Sequence, residues 1–141
     1  MANPSVNIGF RKRRVFIIST YAPGPGTYVD KEPVLEATPY DIESIGSKVL
    51  EGLKNFVDGG EIPNWDTYRS PVLDAVSVSS WSEYERGLKE CVVVQHEDHF
   101  HFMTELPHIR LPRDATLEDI GNAILKALGT SKEKELKRAK K

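Results

Sequence analysis

The chain has 141 residues, of which 39% are hydrophobic, with ten Gly and nine Pro, a balance that fits one globular domain with several punctuated loops. Its formal charge is −2, and its single cysteine, Cys91, excludes an intrachain disulfide and favours a reducing compartment. The apolar run behind Arg11-Lys12-Arg13-Arg14 stops at four residues, short of the roughly 7–15 of a secretory signal or the roughly 20 of a membrane span, so a cytoplasmic location away from membranes is expected.

Residues 1–10 show little pattern and read as a loosely ordered arm. Residues 14–20 are β-branched and apolar, the signature of a mostly buried strand. Tyr21-Ala-Pro-Gly-Pro-Gly-Thr27 reads as a turn-rich loop, and its prolines withhold the N–H donors a phosphate cradle would need. A helix is expected to start at Thr38-Pro39-Tyr40-Asp41, with Thr38 as cap, Pro39 in the first position and Asp41 completing the box. Ile42, Ile45, Val49, Leu53 and Phe56 then share one face, and Asp58-Gly59-Gly60 ends the run.

Residues 61–70 are irregular and carry Trp65 and Tyr68. Ser70-Pro71 opens a short helix, and Ser80 caps another over residues 81–86, closed by Gly87. Residues 91–95 and 100–104 form a hairpin around Glu97-Asp98, its first strand opening on a Cys91 read as buried and structural. A second capping box, Thr116-Leu-Glu-Asp119, leads Leu117, Ile120, Ile124 and Leu128 along one face to Gly129. These elements make an α+β fold: a single domain over residues 1–131, with a mostly antiparallel sheet packed against two main amphipathic helices and short helices.

The two long helices echo each other. Aligning Ile45-Gly46 with Ile120-Gly121 superposes Leu50 on Leu125 and Leu53 on Leu128, four identities in nine positions. Glycine inside a helix costs about 1 kcal/mol relative to alanine, so Gly46 and Gly121 call for an offsetting close approach, expected against the sheet.

Residues 132–141 hold six of the 19 basic and two of the 21 acidic side chains, leaving 13 against 19, or −6, for residues 1–131. This tail reads as a solvated basic end, and a −6 body argues for a basic partner. No nucleophile elbow, Walker sequence, dinucleotide fingerprint or deaminase zinc signature occurs, so no catalytic residue is assigned. Two rival chemistries stay open. His99 and His101, at i and i+2 on a strand, share a face and supply two ligands for a small metal-dependent enzyme, with His96, Glu97, Asp98 and His108 nearest as further ligands, although a polar hairpin explains them without metal. Alternatively, the basic tail with Arg11 to Arg14 serves a nucleic-acid-binding module.

Trp65 and Tyr68 lie among Asp58, Glu61 and Asp66, a patch in which aromatics can anchor an interface and carboxylates can steer a basic protein.

Four stretches in order, Arg14-Val-Phe-Ile-Ile-Ser19, Pro71-Val-Leu-Asp-Ala-Val-Ser-Val-Ser-Ser-Trp81, Tyr84-Glu-Arg-Gly87 and Ala115-Thr-Leu-Glu-Asp-Ile-Gly-Asn-Ala-Ile-Leu-Lys-Ala-Leu128, resemble immunity proteins of bacterial contact-dependent growth inhibition systems. The resemblance spans residues 14–131. It implies a non-enzymatic cytoplasmic antitoxin, without metal or cofactor, that neutralises the cognate toxin domain of a large surface exoprotein in a tight heterodimer. Such a toxin is often a nuclease, and no direct contact of the antitoxin with nucleic acid is implied. Partner-facing residues vary within such families, so Asp58, Glu61, Trp65, Asp66 and Tyr68 are expected toxin contacts from their chemistry alone.

Overall fold

The computed structural model describes residues 2–38, 41–103 and 109–128. Its elements run β1 (Ser5–Arg11), β2 (Arg14–Gly24), β3 (Thr27–Ala37), α1 (Ile42–Lys54), β4 (Val57–Asp58), α2 (Pro71–Ala75), α3 (Trp81–Glu85), β5 (Lys89–Gln95), β6 (His99–Met103), β7 (Ile109–Pro112) and α4 (Leu117–Ala127). Six strands pair antiparallel in the order β3-β2-β1-β5-β6-β7, and β4 pairs with β2 in parallel. The architecture is the α+β arrangement expected from the sequence.

Residues 5–10 are no loose arm. They form β1, which is paired on both sides, with Val6 opposite Ser19 of β2 and Val93 of β5. Its alternation is period two: Val6, Ile8 and Phe10 enter the core while Asn7 and Gly9 face the other way. Lys12 and Arg13 make the two-residue turn into β2, both at positive φ (51° and 63°). That conformation suits an Asn-Gly pair, and each L side chain there costs about 1 kcal/mol or slightly more. The double substitution Lys12→Asn with Arg13→Gly is expected to raise stability by about 1–2 kcal/mol. A thermal midpoint unchanged or lowered would mean the turn is not strained.

The turn-rich loop expected at residues 21–27 shrinks to Pro25-Gly26, because Gly24 pairs with Thr27 and both flanking strands extend to it. The register of β1 and β2 stops at Ser19, so β2 runs on beyond β1 and the missing N–H of Pro23 is not needed there. β3, an edge strand, tolerates Pro33 for the same reason.

The first long helix also starts later than its sequence indicates. Asp41 is itself the cap, extended at φ −109°, and its carboxylate accepts from Ser44 N–H at 3.0 Å. Thr38 instead offers its carbonyl to Asp41 N–H at 3.0 Å. Pro39 and Tyr40 lie outside the described residues. α1 ends at Lys54 with Asn55 as cap, and Asp58 belongs to β4. Ser70, Ser80 and the box of Thr116 with Asp119 cap α2, α3 and α4 as their sequences indicate, while Gly129 lies outside the described residues.

Two layers of helix cover the sheet. α1 and α4 pack on one face around Val6, Ile8, Val15, Ile17, Phe100 and Phe102. α2 and α3 pack on the other, against Phe16 and Ile18. Strand β2 reads as continuous apolar sequence because its alternate residues serve both cores. Gly46 and Gly121 do offset their helical cost by close approach, but to each other's helix and not to the sheet. A Cβ on Gly46 would collide with the carbonyl of Leu117, and one on Gly121 with the carbonyl of Ile42. Each glycine thus admits the first turn of the opposite helix.

Candidate functional site

The acidic and aromatic segment after α1 stands at the edge of the second layer. Asp58 is exposed in β4 beside Ala22. Glu61 is exposed, and its carbonyl accepts from the Tyr21 hydroxyl at 2.9 Å. Asp66 closes a side-chain turn by donating its N–H to Asn64 Oδ1 at 3.1 Å, and it is itself exposed. Trp65 is 56% exposed and meets Tyr68 edge to face at 5.5 Å. Ile62, three residues before Trp65, is 67% exposed. The structure therefore brings Trp65 and Tyr68 into contact and leaves the three exposed carboxylates on the same segment.

Tyr68 fixes that segment to the sheet. Its hydroxyl donates to the Asp30 carbonyl at 2.9 Å. Ser70 Oγ donates to Asp30 Oδ2 at 2.7 Å, and Asn7 Nδ2 donates to Asp30 Oδ1 at 2.6 Å. Both donors to this carboxylate are neutral, and burial pushes its pKa above the ordinary value. Nothing in the local sequence singles out Asp30. Its best signal is its type, since aspartate is depleted from strands and an Asp within one needs a reason.

Burial, followed by the charge of Asp30, pushes the Tyr68 phenol up to about 12. Burial likewise raises Tyr84 and pushes the Cys91 thiol up to about 12. In the unfolded chain these groups ionise near their ordinary values of 9.0 and 10.0, so they favour the fold only while protonated. Stability is expected to be whole below about pH 9 and to fall as pH rises through 10 toward 12. Urea midpoints at pH 8 and pH 11 check this. Cys91 should also resist alkylation at pH 8 until the chain unfolds, because its thiol is both buried and protonated.

His99 and His101 do share a face, opposite the buried Phe100 and Phe102. Their ring centroids are 6.5 Å apart, and His96 stacks on His99 at 4.5 Å. Asp98 Oδ1 lies 2.6 Å from His99 Nδ1, which lowers the aspartate pKa. Among the described residues no three His, Cys, Asp or Glu are placed to hold one metal ion, and His108 lies outside them. Of the basic run, Arg11 is buried and donates to the Glu83 carbonyl at 3.2 Å, while Arg14 pairs with Glu36 at 2.8 Å. The basic tail lies outside the described residues. No helix among the described residues is long and apolar enough to cross a membrane.

No family model matches the chain, and no curated protein matches it. Solved structures do share its fold. A chain of the CdiA-CT/CdiI toxin and immunity complex from Yersinia pseudotuberculosis superposes with a TM-score of 0.70 at 9% identity, covering 93% of this chain and 98% of that one. A protein of unknown function from Neisseria meningitidis superposes with a TM-score of 0.67 at 13% identity, covering 96% and 94%. At such identities the likeness is one of fold.

Proposed function

We propose that this chain is an immunity protein that neutralises a toxin domain delivered between neighbouring bacteria. The observation that carries the reading is the near-complete overlap of its fold with a chain of a toxin and immunity complex. The sequence resemblance, drawn from the order of four scaffold stretches, supports it independently of the superposition. The protein acts by occupation and not by chemistry: a stable heterodimer with a standard interface buries roughly 1,600 Å² and hides the toxin's working surface.

The toxin in this reading is a nuclease, and the partner surface is basic. A nuclease must present cations to phosphates, and a body of charge −6 over residues 1–131 accelerates its capture. Asp58, Glu61 and Asp66 supply the steering charge, and Trp65 with Tyr68 supplies the anchor. The complex forms in the cytoplasm, where such a toxin would act.

Co-expression tests the proposal. The C-terminal domain of a large exoprotein encoded next to this gene is expressed in a susceptible host with and without this chain. Restored growth and co-purification as a one-to-one complex are expected. Growth arrest undiminished by the chain, or no such neighbouring gene, would sink the reading.

A further inference from the structure

A second feature lies across the sheet from the long helices, where α3 meets the outer side of β1 and β5. A cleft of about 140 Å³ opens there, bordered by Asn7, Asp30, Trp81, Tyr84 and Glu90. Its lining holds two carboxylates and no basic side chain. Trp81 forms an exposed wall, 44% accessible, braced by the buried Tyr84 ring at 5.2 Å. Asp30 has its two oxygens held by Asn7 and Ser70, and among the described residues it forms no ion pair. A half-buried carboxylate fixed by neutral donors thus shares one cleft with a half-exposed indole.

We propose that this cleft receives an arginine side chain presented by the basic protein that the chain binds. The planar guanidinium can stack on Trp81 while its fork of N–H donors reaches the unused lone pairs of Asp30. A lysine offers a point charge without the flat face and fits less well. Asp30 also carries the Tyr68 bond at its carbonyl, so the cleft and the Trp65 surface flank one strand position and can engage a single partner. That the presenting protein is a toxin rests on the immunity reading; that the cleft takes arginine does not.

Burial opposes the charged form of Asp30, and a cation in the cleft would offset that cost. Asparagine at position 30 can accept from Asn7 through its Oδ1 and place its Nδ2 against the Ser70 hydroxyl, so Asp30→Asn should fold as well as the parent or better. What it loses is the counter-charge for a cation.

The experiment follows the Trp81 indole N–H by NMR while the full chain is titrated with N-acetyl-arginine amide. A saturable shift with an affinity of about millimolar order is expected, weaker by about tenfold or more with the uncharged citrulline counterpart and in Asp30→Asn. Trp81→Ala, read at the Asn7 side-chain amide, should lose it as well. No saturable shift, or an equal shift for citrulline or in Asp30→Asn, would overturn the proposal. A parallel measurement with the toxin domain, in which Asp30→Asn weakens the complex about tenfold, reports on its use in the interface. If the toxin domain fails to bind the parent chain at all, the immunity reading fails while the arginine titration still decides the cleft.

Discussion

Gly46→Ala is expected to destabilise the protein by about 2 kcal/mol, although alanine is the better helix former. Propensity alone predicts a gain of about 1 kcal/mol for the change. Opposing it is a Cβ placed inside van der Waals contact of the Leu117 carbonyl, at the start of α4. That neighbour is backbone, which cannot rotate away as a flexible side chain does. The helices must separate, and overpacking of this kind costs typically 1–3 kcal/mol and sometimes more. The upper end of that range, less the propensity gain, gives the net loss and a fall of about 6 °C in thermal midpoint for a domain of this length. Gly121→Ala meets the Ile42 carbonyl in the same way and should behave alike. The double variant should cost less than the sum, since separating α1 from α4 for one Cβ makes room for the other. Gly24→Ala is the control: its Cβ meets nothing within 4 Å, so its effect should lie within about 0.5 kcal/mol. If Gly46→Ala matched the parent in stability, the interhelical packing described above would be wrong.

These glycines show what sequence could and could not supply. The caps at Ser70, Ser80 and Thr116 were legible because each is a local hydrogen bond written in consecutive residues. The apolar stripes of α1 and α4 were legible through their 3.6-residue period. That Gly46 and Gly121 mark close contacts also follows from the sequence, but the identity of the neighbour does not, because it depends on how two distant segments meet. The strands fared worse where punctuation misled. Pro23 and Pro25 read as loop, yet they fall beyond β1 and in a two-residue turn, while Pro33 lies on an edge strand in a stretch to which the sequence assigned no element; in all three settings a missing N–H costs little. β1 was hidden because Asn7 and Gly9 interrupt its apolar residues, and β7 because only Ile109 and Leu111 of its four residues face the core. The exposed Trp65 and its half-buried neighbour Tyr68 could be named from the sequence, whereas Asp30 could not: its significance comes from Asn7, Ser70 and Tyr68, which lie 23 to 40 positions away.

Trp65→Ala should separate binding from folding more cleanly than any other single change. With 56% of its surface exposed, Trp65 contributes little to the core, and truncation is expected to alter stability by no more than about 0.5 kcal/mol. An aromatic anchor at the centre of an interface is worth about 2 kcal/mol or more, so the complex with the toxin domain should weaken about 30-fold, chiefly through faster dissociation. Reversing Asp58, Glu61 and Asp66 to lysine should act on the other rate constant. Exposed charges act over distances comparable to the Debye length of about 8–10 Å, so if these carboxylates steer encounter as proposed, their reversal should slow association at low salt and flatten its salt dependence. The two variants thus make opposite kinetic signatures from one segment, and stopped-flow measurements at two ionic strengths distinguish them. Tyr68→Phe adds a third: it keeps the ring that Trp65 meets edge to face but removes the bond to the Asp30 carbonyl, so it should loosen the segment without removing the anchor. Should both Trp65→Ala and the charge reversal leave the two rate constants unchanged, the partner does not bind here, and the open sheet face beside Trp81 becomes the surface to mutate next.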